Sequence, residues 1–474
     1  MSSNYTIAID LGQNSVVAVA GTKDENGTFH VAATAERVVR GVMSGRIENI
    51  AQVNDALSGV IAELEEQLNV KIEQAYGGIS GEYVRCVHHT ERVTVSEPNS
   101  GVTSNDVVSL HSKIMAVEAP QSDTIMESMP QNYLVDNRVE VKNPVGTFGN
   151  TLSSLFNFVL CEKEALKRLH LAFSQAGITL KRCYANSVVA AEAVLTKDEK
   201  EGGVAVVDLG EGMTNVAIYY NGALRAVASI PLGGAAINHD IRSLMIQERS
   251  IESIKCEHGT AIAEHNDHST IQVAGRTPRS TMTIPTYNLS VAIQERVIDI
   301  IKYVYREIRD SGYDGRLIYG IVLTGGGAKL DRVDELFAAQ LGQDVRIAMP
   351  DDHIDESSFV KVASPSFATA VGILKRGADM DMRGVGKPCT VSVEPAEDPE
   401  KVERERAEAA AAEESARQLD LNLESEGGAD GAKGDEAKGD GASFIDRAKN
   451  FMNTKVFGSL FHTDEGDDGD DSFA

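Results

Sequence analysis

Two apolar segments of the chain lead into the same short pattern of aspartate and glycine. Near the N-terminus, TIAID leads into Asp10 and Gly12, and the apolar run VVAVA follows a polar turn. Farther along, VAVVD leads into Asp208 and Gly210, and the apolar run NVAIYY follows a second turn. β-Branched runs on both sides of a short turn predict β-hairpins. Because the pattern occurs twice at a large separation, we predict a duplicated architecture.

The turns of these hairpins carry residues that suit a phosphate group. Glycine allows backbone N–H groups to approach phosphate oxygens, and an aspartate can hold Mg²⁺ through water, here Asp10 and Asp208. A single Asp-x-Gly turn is common in hairpins, so the repetition carries the prediction. The candidate phosphate-side residues are Asp10, Gly12, Gln13, Asn14, Ser15, Asp208, Gly210, Glu211, Gly212, Met213 and Thr214.

A third glycine-rich element follows the apolar run IYGIVLT. We predict a buried strand over 318–324, then Gly325, Gly326 and Gly327, and then a helix. Three glycines at such a junction leave a flat backbone surface for a base or sugar and present helix N–H groups to phosphate. A tight turn without any ligand explains the triplet equally well.

Together the three segments resemble those of the actin-like ATPase superfamily, which includes actin, the 70-kDa heat-shock chaperones and sugar kinases. Within it, the chain resembles the FtsA family of bacterial cell-division proteins through GGISGEYV, VKNPVG and IPLGGAAINHDI. The resemblance covers roughly residues 5–376 and 443–461. It assigns 10–15 and 208–214 to two phosphate loops, 324–329 to the adenosine loop, and 185–195 and 364–374 to two connecting helices.

The resemblance implies an α/β class, namely an actin-like duplicated ATPase fold with an FtsA-type inserted domain, 1C. The implied domains are 1A at 1–83, 165–195 and 360–376; 1C at 84–164; 2A at 196–230 and 311–359; and 2B at 231–310. Within 1C, the residues themselves predict strands over 92–96 and 133–141 and a helix over 104–117.

Charge sets the C-terminal part of the chain apart. The 474 residues carry 45 Lys and Arg against 71 Asp and Glu, a formal net charge of −26. Residues 377–442 contain 18 acidic and 8 basic residues and much Gly and Ala, which predicts a disordered linker. Residues 463–474 form an acidic tail. The acidic balance argues against a nucleic-acid partner.

Residues 443–462 predict an amphipathic helix that binds a membrane surface, because basic residues border an apolar arc. A helix that packs on the body or in a partner groove is the alternative, and the acidic tail weakens attraction to anionic lipid. We expect no transmembrane helix and no signal peptide, since the sequence has no apolar run of about 18 residues and no basic n-region. The membrane-facing residues are Phe444, Ile445, Ala448, Phe451, Met452, Val456, Leu460 and Phe461.

Both candidate phosphate loops depart from the family pattern. Glu211 and Met213 stand where the second loop usually has glycine and threonine, and Gln13 and Ser15 stand where the first often has threonine and lysine. A carboxylate facing the γ-phosphate repels it unless Mg²⁺ or a conformational offset intervenes; alternatively, Glu211 points to solvent. We therefore expect ATP with Mg²⁺ to bind weakly, with weak or absent turnover, and assign no catalytic residue.

The adenosine side of the implied site is closer to the pattern. Glu252 and Lys255 share one face of a predicted helix, and the resemblance assigns them to adenosine. An ordinary surface ion pair is the alternative. Gly233 and Gly234 resemble a further phosphate-side backbone segment.

The resemblance implies a protein of the cytoplasmic side of the inner membrane that tethers FtsZ filaments, the Z ring, at the division septum and assembles into actin-like filaments. Arg276, Arg279 and a helix near 294–309 are expected to meet the partly acidic tail of FtsZ. Domain 1C is expected to meet a neighbouring subunit and later division proteins. The alternatives are a type-IV-pilus-type assembly ATPase, a heat-shock-type chaperone and a sugar kinase.

Overall fold

The computed structural model describes residues 4–265, 269–274, 280–384 and 387–392. Arg276 and Arg279, most of the predicted linker, the predicted amphipathic helix at 443–462 and the acidic tail at 463–474 lie outside these residues.

The described residues form strands and helices in mixed order. The strands are β1 (Thr6–Leu11), β2 (Ser15–Lys23), β3 (Phe29–Val38), β4 (Val42–Met43), β5 (Arg46–Ile47), β6 (Val70–Ile72), β7 (Gln74–Ile79), β8 (Val84–Thr94), β9 (Asp123–Val135), β10 (Val139–Val141), β11 (Thr151–Glu162), β12 (Thr179–Ala185), β13 (Val204–Leu209), β14 (Thr214–Tyr220), β15 (Ala223–Ile230), β16 (Thr270–Ala274), β17 (Thr281–Pro285), β18 (Ile321–Thr324), β19 (Val345–Ile347) and β20 (Thr390–Ser392). The α-helices are α1 (Ile50–Leu68), α2 (Ser104–Met115), α3 (Lys163–Gln175), α4 (Asn186–Val194), α5 (Lys197–Gly202), α6 (Gly234–Ile241), α7 (Glu248–His258), α8 (Thr286–Asp310), α9 (Val333–Leu341), α10 (Glu356–Val362) and α11 (Ala368–Met382).

Two five-stranded sheets share one arrangement. Their strand orders are β3-β2-β1-β7-β12 and β15-β14-β13-β18-β19. In each sheet the central strand pairs antiparallel with its hairpin partner and parallel with a later strand. The register also matches, because Asp10 lies opposite Val17 and Asp208 opposite Asn215 at the same point of each hairpin. The predicted duplication is therefore confirmed, and it places the two glycine turns at equivalent sheet edges.

Helices α4 and α11 pack against each other beside the first sheet, and α4 also packs against β13 and β14 of the second. Their close approach depends on Gly372, where an added Cβ would overlap the carbonyl oxygen of Val189. Helix α4 is almost wholly buried, and α11 is buried from Ala368 to Leu374, as expected for apolar segments without a polar face. The segments predicted as connecting helices therefore form helices that bring the first sheet close to the second.

An antiparallel sheet, β10-β9-β11-β8, interrupts the first half of the chain and packs against α2. The predicted helix at 104–117 is α2, which a capping box between Thr103 and Asp106 begins. The prediction of one continuous strand over 133–141 is wrong, because β9 ends at Val135 and β10 begins at Val139. Asp136 and Asn137 both have positive φ, at 50° and 56°, and turn the chain between β9 and β10.

The globular body extends past residue 376, where the sequence predicted its end. α11 continues to Met382, and β20 pairs with β6. The carboxylate of Asp381 accepts hydrogen bonds from the hydroxyl groups of Thr6 and Tyr76 at 2.7 and 2.6 Å. The acidic residues that suggested a linker from 377 are therefore in part engaged in the body.

The strand predicted over 318–324 is also shorter than expected. It begins at Ile321, after Gly320 with a φ of 62°, and Ile318 is 78% exposed. A 3-10 turn over Gly326–Lys329 follows the glycine triplet, and α9 comes after it.

Among the described residues, no single helix is long and apolar enough to cross a membrane. One pair, Glu356–Val362 and Pro365–Met382, passes on length and composition, with a bend of 96° between its members. Much of its second member is buried in the protein core, as is typical of a core helix.

Candidate functional site

A cavity of about 790 Å³ opens at the turns of the two equivalent hairpins. It brings together nearly all the residues that the sequence predicted for a ligand site. Those that line it are Asp10, Gly12, Gln13, Asn14, Ser15, Asp208, Gly210, Glu211, Gly212, Met213, Gly233, Gly234, Glu252, Lys255, Gly325, Gly326 and Gly327. Thr214 does not line it: this side chain is buried, and its hydroxyl donates to the carbonyl oxygen of Leu232 at 2.8 Å.

The first turn places Asp10 in the lining of the cavity. The backbone N–H of Gly12 donates to the carbonyl oxygen of Ser15 at 3.0 Å, which closes the turn. The amide Nδ2 of Asn186, at the start of α4, donates to Asp10 Oδ1 at 3.0 Å. Burial and the nearby Asp208 raise the pKa of Asp10 to about 7, although the hydrogen bond from Asn186 acts to lower it.

The second turn repeats this arrangement with different partners. The N–H of Gly210 donates to the carbonyl oxygen of Met213 at 2.9 Å, and Asn215 Nδ2 lies 3.3 Å from Asp208 Oδ2. Burial raises the pKa of Asp208. Gly325 has a φ of 83°, and an added Cβ there would overlap Asp208 Oδ1. The glycine triplet therefore lies directly against the second carboxylate.

Asp208 is buried and Asp10 is partly buried, and the pKa values of both carboxyl groups are raised, which indicates a place that favours either protons or a cation. The described part of the chain contains no cluster of three or more His, Cys, Asp or Glu side chains that could ligate a metal directly. A divalent cation between Asp10 and Asp208 would therefore keep most of its water, as Mg²⁺ commonly does.

Glu211 extends across the cavity and not into solvent. Its Oε1 accepts a hydrogen bond from Asn238 Nδ2 at 3.2 Å, and its Oε2 lies 3.8 Å from Lys255 Nζ. The side chain is 20% exposed, and burial raises its pKa. The alternative that Glu211 points to solvent is wrong in this structure.

Glu252 and Lys255 form an ion pair at 2.8 Å on one face of α7, as their spacing predicted. Lys255 is buried whereas the Glu252 side chain is 43% exposed, so the pair lies partly enclosed in the cavity lining. Asn238 Nδ2 also donates to Glu252 Oε2 at 2.6 Å. Burial acts to raise the pKa of Glu252, but the Lys255 ammonium and the Asn238 amide hold this pKa below its ordinary value.

Gly233 and Gly234 bring the start of α6 against the second turn. The N–H of Gly234 donates to the carbonyl oxygen of Gly210 at 3.0 Å, and that of Ala235 to the carbonyl oxygen of Glu211 at 2.8 Å. An added Cβ at 233 would lie 2.6 Å from the latter oxygen. Glycine is therefore required for this backbone contact. Gly326 differs, because no atom lies within 4 Å of its added Cβ.

Gln13 extends from the first turn toward the second. Its Oε1 accepts a hydrogen bond from the N–H of Ser44 at 2.8 Å, and an added Cβ at Gly212 would overlap the same oxygen. The amide oxygen of Gln13 is therefore already engaged with the backbone in the structure.

The sequence predictions missed three asparagines that position the acidic side chains. Asn186 and Asn215 bond to the two aspartates, and Asn238 bonds to both glutamates. Asn186 and Asn215 are polar residues in largely apolar segments, and this was the signal available in the sequence for those two. The helix expected near 294–309 is part of α8, where Tyr287, Tyr303 and Tyr305 are exposed.

Comparison with known protein families gives two matches. Residues 205–372 match the family model for "Cell division protein FtsA", and residues 81–160 match the model for the "SHS2 domain inserted in FTSA". The second match overlaps the four-stranded sheet that interrupts the first half of the chain.

Individual relatives agree with these matches. The chain is 28% identical over 386 residues to FtsA of Pseudomonas aeruginosa, covering 81% of this chain and 92% of the relative. It is 27% identical over 402 residues to FtsA of Escherichia coli, covering 82% and 94% of the two chains. It is 27% identical over 387 residues to FtsA of Bacillus subtilis, covering 80% and 86%.

Solved structures are similar at the level of the fold. A chain of the PilM-PilN type IV pilus biogenesis complex matches with a TM-score of 0.54 at 16% identity, covering 79% of this chain and 98% of that one. MreB5 of Spiroplasma citri, in a structure bound to ADP, matches with a TM-score of 0.50 at 14% identity, covering 81% and 99%. Together with the duplicated sheets, these similarities confirm the predicted actin-like fold of the body.

Proposed function

Because the chain belongs to the FtsA family of cell-division proteins, we propose that it tethers filaments of FtsZ to the inner face of the cell membrane at the septum. The observation that carries the proposal is the pair of family matches, which fall on the inserted segment and on the second half of one actin-like body. A pilus-assembly role rests on similarity of fold alone, at 16% identity.

The ligand proposed for the cavity is ATP with Mg²⁺. Asp10 and Asp208 would hold the cation through water, and the cation would neutralise phosphate charge. The backbone at Gly12 and Gly210 would face the phosphates, and Gly325–Gly327 with the Glu252–Lys255 pair would face the adenosine. The cavity volume, the paired carboxylates and the open face of Gly326 support this fit. Glu211 opposes it, so we propose weak binding and weak or absent turnover.

The membrane contact is assigned to residues 443–462, because Phe444, Phe451, Met452 and Val456 would share one arc of the helix that the sequence predicts there. A single short amphipathic helix binds only modestly, so self-assembly of the body into filaments would strengthen attachment through avidity. The α8 region would meet the FtsZ tail, and the inserted domain would meet a neighbouring subunit and later division proteins.

The test is recruitment of FtsZ filaments to vesicles that contain anionic lipid. FtsZ should sediment with the vesicles when this protein is present and not in its absence. Deleting 443–474 should abolish this recruitment, whereas the matched deletion of 463–474 should preserve it because only the acidic tail is lost. Recruitment that survives the longer deletion would count against the tether.

A further inference from the structure

We propose that Glu211 is a built-in anion of the nucleotide cavity: its carboxylate engages Lys255 and Asn238, and a nucleoside phosphate binds only when that carboxylate moves away. The proposal rests on the proposed nucleotide function of the cavity, and it assigns to one side chain the regulation of that site.

The first observation is where the carboxylate lies. Glu211 Oε2 approaches Gly234 so closely that an added Cβ there would overlap it, and the same Cβ would lie 3.1 Å from Lys255 Nζ. The carboxylate thus occupies the space between the glycine backbone at the start of α6 and the ammonium group of α7. Glycine backbone beside a cation is the environment that suits a phosphate oxygen.

The second observation is that two carboxylates contact the Lys255 ammonium group at unequal distances. Lys255 Nζ lies 2.8 Å from Glu252 and 3.8 Å from Glu211, both of which line the cavity. Two carboxylates around one ammonium leave a net negative cluster, which disfavours an incoming polyphosphate. Because its contact with Lys255 is the longer one, moving the Glu211 carboxylate away from the ammonium group should cost less free energy than moving that of Glu252.

The third observation is how the backbone and the side chain of Glu211 are hydrogen-bonded. The carbonyl oxygen of Glu211 accepts a hydrogen bond from the N–H of Ala235 at 2.8 Å, and this bond restrains the backbone of the loop. The side chain makes one hydrogen bond, to Asn238 at 3.2 Å, and Asn238 Oδ1 is buried without a hydrogen-bond partner in the described structure. Rotation of the side chain is therefore the movement that clears the site.

Calorimetric titration of Mg-ATP and Mg-ADP into the full chain tests the proposal. Glu211→Gln should bind at least about tenfold more tightly than the natural chain, which corresponds to about 1.4 kcal/mol. The matched control is Glu257→Gln, which removes one charge from the lining of the same cavity but leaves Glu211 on Lys255. This control variant should not bind Mg-ATP or Mg-ADP comparably more tightly than the natural chain.

Glu211→Asp separates occupancy from charge, because the shorter side chain keeps its charge but does not reach Lys255. Tighter binding by this variant supports displacement of the carboxylate. If only the Gln variant binds more tightly, or if the natural chain binds as tightly as Gln, the proposal is overturned. If no variant binds nucleotide while unfolding midpoints stay unchanged, the proposed ligand itself is wrong, and the inference fails with it.

Discussion

The two hairpin turns of this protein have the same backbone and different side-chain environments. In each, an aspartate is the next-to-last residue of the central strand, a glycine N–H closes the turn, and an asparagine amide donates a hydrogen bond to the carboxylate. In the first turn, Gln13 bonds to the backbone of Ser44. In the second, Glu211 faces a lysine across the cavity.

The turns also differ in how the surrounding chain holds them. Among the described residues, the start of α6 bonds to two carbonyl oxygens of the second turn, those of Gly210 and Glu211. The first turn receives one such backbone bond, from the N–H of Val39 to Asn14, together with the Gln13 side-chain bond. Duplication therefore preserves the scaffold of each turn, whereas neighbouring elements decide what the turn can do.

The largest contrast should come from Gly233→Ala. The new Cβ would collide with backbone oxygens of the second turn, so the free energy of unfolding should fall by about 3 kcal/mol. Gly326→Ala is the control, because its Cβ meets no atom within 4 Å and should cost less than about 1 kcal/mol. Urea unfolding followed by circular dichroism measures both. Equal midpoints for the two variants would show that α6 does not hold the second turn.

The next prediction concerns how the free energy of unfolding depends on pH through Asp10 of the first turn. The pKa of Asp10 is raised from its ordinary 3.8 to about 7, so folding favours the protonated form. The resulting stability is fully present below about pH 4 and is lost as pH rises through 7, by roughly 2 kcal/mol after allowance for the open side of the cavity.

The measurement is the urea midpoint at pH 5 and pH 8 without divalent cations. Asp10→Asn should lose less stability between these pH values than the natural chain. Asp208→Asn should also lose less, because the charge of Asp208 helps to raise the pKa of Asp10. Added Mg²⁺ should restore stability at pH 8 in the natural chain. A natural chain whose midpoint is the same at both pH values would contradict the prediction.

A smaller contrast is expected at Gln13. Gln13→Ala leaves the N–H of Ser44 without its acceptor, which should cost about 1 kcal/mol in unfolding free energy. Gln13→Glu keeps an acceptor oxygen and should preserve more of that stability. Because Gln13 is near Gly212, the added charge should instead weaken Mg-ATP binding in calorimetry. An alanine variant as stable as the natural chain would remove Gln13 from the contacts that hold the first turn.

The sequence predicted the parts of this comparison that depend on local pattern. The apolar, β-branched runs around Asp10 and Asp208 specify the hairpins, and their repetition specifies the duplicated sheets. The directions of side chains in the turns depend on contacts between distant segments. Asn186 reaches Asp10 across 176 positions of the chain, and Glu211 is directed by residues of α6 and α7. No local pattern carries that information.

The C-terminal limit of the body shows a different cause of error. Charge composition from residue 377 onward predicted a disordered linker, although α11 continues to Met382 and β20 pairs with β6. Asp381 counted as one of the acidic linker residues, but it accepts hydrogen bonds from Thr6 and Tyr76. Net charge cannot distinguish a solvated carboxylate from one that is bonded within the fold.

The smallest predicted difference is between alanine substitutions at Gly12 and Gly210, which should destabilise the fold almost equally. An added Cβ at Gly12 would lie 2.9 Å from the carbonyl oxygen of Ser15, and one at Gly210 would lie 2.9 Å from that of Met213. Gly12→Ala and Gly210→Ala should therefore lower the unfolding free energy by similar amounts, about 1–2 kcal/mol each and within about 0.5 kcal/mol of one another. Urea midpoints of the two variants under one buffer condition measure the difference. A difference above about 1 kcal/mol would mean that the surroundings of each turn, and not its shared backbone, determine what the turn tolerates.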